Sequence, residues 1–210
     1  MLTVGLVAAG YLAGSMPWGY WLVRIFRHED IRTKGSGNIG GSNVWRVYGR
    51  YLGLPTVLLD TAKGFAPALV ATILVGHLAG VLAGAAAMVG HWRPLFMKFK
   101  RGGKIVATTG GAFLGVAPIV GAVGLGVWIL VFFTLRYPSL ASMVSAVSLV
   151  AWSVLLGYPW PVTVFAALAA AGVVLLHRAN LRRLLRGEEN RSTLWRRWWR
   201  KESTNAAASP

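Results

Sequence analysis

The chain contains no cysteine, and only six of its 210 residues are acidic. Without cysteine it can form neither disulfides nor thiolate sites. The six acidic residues and four histidines are scattered, with no spacing typical of metal ligands, so we expect no metal ion and no cofactor. Charge is also scarce inside the long apolar runs, which excludes an ordinary soluble domain.

The apolar residues make up 55% of the sequence and form long runs instead of amphipathic stripes. This pattern predicts an all-α polytopic membrane protein. We expect about seven transmembrane helices, near residues 2–26, 52–75, 77–92, 104–117, 119–135, 140–156 and 161–177. A five-helix arrangement is the alternative. The segment 104–135 is interrupted by a single proline, Pro118, and fits either two helices or one bent helix.

The 22 basic residues give a net charge of +16, and their positions are informative. All except Lys63 lie between the predicted helices or at their ends, whereas the breaks at Gly76, Pro118 and 157–161 carry no charge. By the positive-inside rule, this alternation places the N-terminus outside and the C-terminus in the cytoplasm. Such a distribution argues against nucleic acid as the partner of these cations.

The stretch KGSGNIGGSNVWR, residues 34–46, is rich in glycine and small polar residues. It matches the dinucleotide-binding pattern G-x-G-x-x-G, but that motif requires a strand before it in a soluble βαβ unit. What remains is anion binding, because glycine lets successive backbone amides converge and Arg46 offers a fork for phosphate. The candidate ligands in this first loop are Gly35, Ser36, Gly37, Asn38, Gly40, Asn43 and Arg46.

The segment FKRGGKIVATTGG, residues 99–111, repeats this composition with Gly102, Gly103, Lys104 and Thr108. On the predicted topology both loops face the cytoplasm, as do RYPSLAS, residues 136–142, and the segment after the last helix. Their convergence predicts one site for two phosphorylated ligands, or for one ligand with two ends. For each loop alone, tight turns and topogenic charges explain the composition about equally well.

Six segments between about residues 11 and 190 carry a family resemblance. Their order and spacing are similar to those of the bacterial acyl-phosphate-dependent glycerol-3-phosphate acyltransferases, the PlsY family. The segments are GSMPWGY, GSGNIGGSNVWR, LLDTAKGFAPAL, GHWRPLFMKFKRGGKIVAT, RYPSLASMVSA and HRANLRRLLRGEEN. The resemblance implies a seven-helix inner-membrane enzyme that transfers a fatty acyl group from acyl phosphate to the 1-hydroxyl of sn-glycerol 3-phosphate. The products would be lysophosphatidic acid and phosphate.

The resemblance also implies site residues. The family's functional positions fall on Ser36, Asn38, Gly40, Asn43, Arg46, Lys104, Ser139, Ser142, His177 and Asn180. Of these, Ser36, Arg46, Lys104 and His177 are the catalytic candidates. The chain departs from the family's usual second loop by an extra Arg101 and by Ile105 where glycine is expected.

Several alternatives stay open at the level of sequence. We expect direct acyl transfer, with the proton taken by His177 or by a substrate phosphate, although Ser36 also suits an acyl-enzyme. Asp60 and Lys63 form either a neutralising intramembrane pair or a ligand contact. The competing function is an anion or phospholipid transporter.

The expected organisation is one membrane acyltransferase domain, residues 1–190, followed by a Trp- and Arg-rich interfacial tail, residues 191–210. The expected location is the bacterial inner membrane, with the active site on the cytoplasmic side. Membrane lipids and the enzyme that supplies acyl phosphate are the expected partners.

Overall fold

The computed structural model describes residues 1–192, which form ten α-helices and two 3₁₀ turns without a β-strand. Most of the predicted tail, residues 193–210, lies outside the described part. In chain order the helices are α1 Leu2–Gly14, α2 Trp18–Arg27, α3 Gly41–Tyr48, α4 Arg50–Val75, α5 His77–Trp92, α6 Val106–Val116, α7 Pro118–Leu135, α8 Pro138–Leu155, α9 Trp160–Leu176 and α10 Arg178–Leu185.

The longest helix, α4, lies at the centre and packs against α1, α3, α5 and α6, while α7, α8 and α9 form a row beside α5 and α6. Small residues allow the closest approach, between α4 and α6. A Cβ on Gly64 would overlap the backbone of Thr108, and one on Gly111 would overlap the carbonyl of Thr61. Such backbone-to-backbone packing is typical of helices in membranes.

The apolar side chains divide between an internal core and an outer surface. In the core, the rings of Phe113 and Phe165 stack with centroids 4.8 Å apart. Large apolar side chains such as Ile73, Leu130 and Leu168 are exposed. Among the described residues α4, α7 and α8 are long and apolar enough to cross a membrane, and α9 with α10, bent by 63°, makes a fourth candidate. The chain is therefore a helical multi-pass membrane protein.

The prediction of one helix over residues 2–26 is wrong, because the chain breaks between α1 and α2. Pro17 lies at this break and has no N–H to donate, so it cannot continue the hydrogen bonding of α1. The carbonyl of Met16 consequently has no partner within a continuous helix. It accepts a hydrogen bond from Trp18 N at 3.1 Å and another from Lys63 Nζ at 2.8 Å.

One open alternative is resolved and one prediction is corrected. Residues 104–135 form two helices, because Ala117 adopts an extended φ of −141° before Pro118, the first residue of α7. The first glycine loop is shorter than predicted, since α3 begins at Gly41 and includes Asn43 and Arg46. The six other predicted helices agree with α4, α5, α6, α7, α8 and α9 within two residues.

Candidate active site

The first glycine loop is shaped by one buried side chain. Asn43 Oδ1 accepts a hydrogen bond from Ser36 N at 2.9 Å, while Asn43 Nδ2 donates to Lys34 O at 3.1 Å and to Asn38 O at 2.8 Å. Gly35 and Gly37 adopt positive φ values of 57° and 68°, which glycine tolerates without strain. Asn43 therefore acts within the loop, and its amide group is already occupied.

These internal bonds change which groups remain for a ligand. The amides of Ser36 and Gly37, and that of Gly40, which donates to Asn38 Oδ1 at 2.8 Å, are bonded within the loop. The first amides of α3 have no acceptor within the helix. The Ser36 hydroxyl and the Arg46 guanidinium are exposed, and no side chain in residues 1–192 bonds to either. The first loop thus offers a hydroxyl, a guanidinium and a helix N-terminus.

The second glycine loop, residues 99–105, is attached to the end of α5. Gly102 N donates to Trp92 O at 2.9 Å, and Gly103 N donates to His91 O at 3.0 Å. Neither glycine has a positive φ. Glycine is needed there for space, because a Cβ on Gly103 would overlap the His91 ring. Left-handed backbone occurs instead at Phe99 and Ile105, and the φ of 59° at Ile105 is unusual for a β-branched side chain.

Lys104 joins the second loop to the last helix. Its ammonium donates to Asn180 Oδ1 in α10. Burial lowers the pKa of Lys104 to about 8, and although Glu189 raises it, Arg183, Arg101 and Arg46 lower it further. Arg46 of the first loop thus contributes, as the weakest of these charges, to the electrostatics of Lys104. Among the described residues no carboxylate pairs with Lys104 or Arg46, so both charges remain available to an anion.

Glu189 links Ser139, Asn180 and Arg183, and it was not predicted from the sequence. Its Oε1 accepts from Ser139 Oγ and from Asn180 Nδ2, both at 2.7 Å, and its Oε2 accepts from Arg183 Nε at 2.7 Å. Burial raises the pKa of Glu189, but these three hydrogen bonds outweigh it and the net shift is downward. The sequence feature that could have indicated Glu189 is its position as an acidic residue within an otherwise basic segment.

His177 lies at the bend between α9 and α10 and is almost fully buried. Its Nδ1 is 2.8 Å from the carbonyl oxygen of Val173. Because a carbonyl can only accept, Nδ1 carries the proton and Nε2 is left as an acceptor. Burial lowers the pKa of His177 to about 4, and the Lys104 charge adds to this shift. The imidazole is therefore neutral at physiological pH.

Two of the predicted ligand hydroxyls are buried between helices. Thr108 is fully buried in α6, against Gly64 of α4. Ser142 Oγ donates to Pro138 O at 2.7 Å and accepts from Trp128 Nε1 at 3.1 Å, so it joins α7 to α8. Ligand binding by these two hydroxyls stays a prediction, and their burial between helices disfavours it.

The alternatives for Asp60 and Lys63 are now distinguishable. Lys63 Nζ lies 2.7 Å from Asp60 Oδ1, and both side chains are 3% exposed. They form a buried ion pair inside the bundle, which agrees with the neutralising interpretation. His91 was not associated with this pair by sequence, yet its Nδ1 lies 3.6 Å from the same carboxylate oxygen.

The fold and the site together define a class of protein. Within residues 1–192, three separate segments of a bundle of apolar helices carry two cations without a carboxylate partner and a neutral imidazole, groups that suit an integral-membrane enzyme for phosphorylated substrates. The chain belongs to the glycerol-3-phosphate acyltransferase family, whose model matches residues 4–187. The family predicted from the six sequence segments is thereby confirmed.

Curated relatives and solved structures agree with this membership. Glycerol-3-phosphate acyltransferases of Desulforudis audaxviator and Rhodospirillum rubrum are 42% and 45% identical, covering 91% and 90% of this chain and 94% and 91% of their own lengths. The structure is similar to PlsY (YgiH), an integral membrane glycerol 3-phosphate acyltransferase, in its glycerol 3-phosphate form, with a TM-score of 0.90 and 35% identity over 95% of this chain and 100% of that one. The lysophosphatidic acid form gives 0.86 at 35% identity, covering 93% and 97%.

Proposed function

We propose that this chain transfers a fatty acyl group from acyl phosphate to the 1-hydroxyl of sn-glycerol 3-phosphate, producing lysophosphatidic acid and inorganic phosphate. The observation that supports it most is the position of Lys104 at the bend between α9 and α10: its ammonium donates to Asn180 of α10, and its charge lowers the pKa of His177. Arg46 of the first loop in turn lowers the pKa of Lys104. Family membership supplies the reaction class.

Arg46 and Lys104 bind the substrate phosphates in this proposal. Both are unpaired cations of the described structure, and partial burial of Lys104 strengthens its attraction for an anion. Arg46 offers a planar fork to two phosphate oxygens, and the exposed Ser36 hydroxyl supplies a neutral hydrogen bond beside it. Asn180 and Glu189 act indirectly, because they hold the Lys104 side chain in place.

The reaction balances without a covalent enzyme intermediate. The glycerol hydroxyl oxygen forms a bond to the acyl carbonyl carbon, the bond from that carbon to the phosphate oxygen breaks, and the hydroxyl proton leaves on the released phosphate. Nε2 of His177 accepts the hydrogen bond of the attacking hydroxyl and orients it. With a pKa of about 4, His177 is a weak base. A phosphate group, whose second pKa is about 6, is a better acceptor for the proton of the attacking hydroxyl.

The reaction itself gives the first test. Purified protein in detergent, supplied with acyl phosphate and glycerol 3-phosphate, is expected to release lysophosphatidic acid and phosphate in equal amounts. Uptake of glycerol 3-phosphate into proteoliposomes without product would instead establish the transporter. An acyl adduct trapped on Ser36 during turnover would replace direct transfer by an acyl-enzyme route.

The proposed topology is seven spans in the bacterial inner membrane, with the N-terminus outside and the active site facing the cytoplasm. Uncharged breaks at Gly76 and Tyr158 and basic segments around Arg101 and Gly187 support this arrangement. Reporters fused after Gly76 and Tyr158 are expected to be periplasmic, and those after Arg101 and Gly187 cytoplasmic. A cytoplasmic reporter at Tyr158 would contradict seven spans.

A further inference from the structure

One buried cluster has no part in the proposed chemistry. Asp60 and Lys63 of α4 and His91 of α5 are each at most 5% exposed. Their polar atoms meet at Asp60 Oδ1, which is 2.7 Å from Lys63 Nζ and 3.6 Å from His91 Nδ1. Burying charge among helices is costly, and an apolar set of the same volume often packs equally well. Stability alone is therefore a poor explanation for this cluster.

The cluster reaches the first glycine loop through the break between α1 and α2. Lys63 Nζ donates to Met16 O at 2.8 Å, which fixes the point from which α2 departs. Three residues further, Gly19 of α2 lies directly against the carbonyl of Ile39, between Asn38 and Gly40 of the first loop. A Cβ at Gly19 would overlap that carbonyl oxygen. The Lys63 contact thus determines where α2 supports the loop.

The cluster reaches the second glycine loop through His91. The carbonyl of His91 accepts from Gly103 N at 3.0 Å, and the His91 ring fills the space where a Cβ of Gly103 would lie. His91 Nδ1 has no hydrogen-bond partner within residues 1–192 and lies 3.6 Å from Asp60 Oδ1, an electrostatic contact that is too long for a hydrogen bond. The His91 ring packs against Gly103, the residue that precedes Lys104.

We propose that Asp60, Lys63 and His91 are positioning residues, which fix the two phosphate loops relative to each other. Lys63 acts on the first loop through Met16 and α2, and Asp60 acts on the second loop through His91. In this proposal a single carboxylate oxygen, Asp60 Oδ1, orients both the Lys63 ammonium on α4 and the His91 ring on α5. The catalytic consequence rests on the proposed function, whereas the effect on the loops does not.

The test is the double variant Asp60→Leu with Lys63→Met, which removes both charges and leaves neither buried alone. We expect amide hydrogen exchange to become at least tenfold faster in residues 35–41 and 102–104. The KM for glycerol 3-phosphate is expected to rise at least tenfold, and the alkaline limb of kcat/KM to move to higher pH as Lys104 gains water. The matched control is Thr72→Val, further along α4, where the hydroxyl bonds only to Ala68 O of the same helix.

A second variant tests the proposal if the double variant does not insert into the membrane. His91→Gln removes the ring alone, so it should accelerate exchange in 102–104 and leave 35–41 unchanged. Folded variants with wild-type exchange in both loops and an unshifted alkaline limb would overturn the proposal. Hydrogen exchange is measured without substrate, so its result does not depend on the proposed reaction. If the wild-type chain formed no product, the proposed reaction would be refuted, while the exchange data would still test the positioning role.

Discussion

The two glycine loops reach their conformations by different means. The first is braced from within by Asn43, seven residues after Ser36, which bonds the loop backbone at three points. The second has no such side chain of its own. It is held by the carbonyls of His91 and Trp92 and, at Lys104, by Asn180, which is 76 residues away in sequence. Asn43 thus braces the first loop, whereas the second is held from α5 and α10 and by Arg93, whose Nη1 donates to Phe99 O at 3.3 Å.

The difference predicts where single changes act. A change at the tip of the second loop should affect the ligand directly, because its cation is partly buried and preorganised. A change in the first loop should act through the conformation of several backbone groups together.

Lys104→Gln is expected to reduce kcat/KM for glycerol 3-phosphate by about 10²–10³-fold, near 3 kcal/mol, the scale of one lost preorganised charge contact. Steady-state kinetics on purified protein measure it. Lys100→Gln, in the same loop but exposed, is the control and should stay within about twofold of wild type. Equal activities of the two variants would remove Lys104 from the phosphate site.

Asn43→Ala tests the internal brace of the first loop. It removes three hydrogen bonds at once, and at about 1 kcal/mol for each we expect a loss in kcat/KM on the order of 100-fold, carried mainly by KM. Asn43→Asp keeps the acceptor for Ser36 N and loses both donors, so it should lie between Asn43→Ala and wild type. An Asn43→Ala protein with wild-type KM would show that the loop holds its shape without this side chain.

Arg46→Lys keeps the charge and loses the planar fork. If Arg46 binds phosphate with two hydrogen bonds, we expect about a tenfold loss of kcat/KM. Arg186→Lys is the matched control, because Arg186 is exposed at the end of α10. An Arg46→Lys protein as active as this control would leave Arg46 with a topogenic role only.

The pKa of Lys104 predicts a pH dependence. At about 8 in the free protein, the ammonium is charged below pH 8 and is progressively lost as the pH rises through that value. The kcat/KM for glycerol 3-phosphate should therefore fall about tenfold for each pH unit well above 8. Lys104→Arg should abolish this limb up to pH 10, since a guanidinium stays charged. A limb unchanged by Lys104→Arg would assign it to another group.

The smallest effect on activity is expected at Ile105. Replacement by glycine relieves a left-handed conformation that costs roughly 1–2 kcal/mol. It also removes a buried side chain that faces Gly172, typically worth about 2–5 kcal/mol. We expect a lower thermal midpoint in detergent and kcat/KM within about threefold of wild type. A raised midpoint would mean that strain in the second loop outweighs packing.

Sequence predicted the parts of this molecule that depend on local composition. Apolar runs predicted six helices within two residues, and family resemblance led to Lys104, His177 and Asn180, which the structure brings to one end of the bundle. The break at Pro17 was missed because the flanking runs are apolar on both sides, although proline disfavours a continuous helix. The loop glycines were assigned to backbone freedom, but Gly102 and Gly103 serve close packing.

Contacts between residues far apart in the sequence could not be predicted from sequence patterns. Glu189 is linked to Ser139 across 50 residues, and His91 approaches Asp60 from another helix. No spacing rule connects such residues, because their proximity is decided by how the helices pack. The same holds for Thr108 and Ser142, whose hydroxyl groups looked accessible in sequence and are buried between helices.

The central claim is that Arg46 and Lys104, from loops that are stabilised differently, serve one site. A double-mutant cycle with Arg46→Lys and Lys104→Arg tests it, with kcat/KM for glycerol 3-phosphate as the readout. If each single variant loses about tenfold, one shared site predicts a loss of only about 10–20-fold in the double variant, because a single disturbed contact already displaces the ligand from its partner. A loss near 100-fold, the product of the two, would show that the loops act independently and contradict the account.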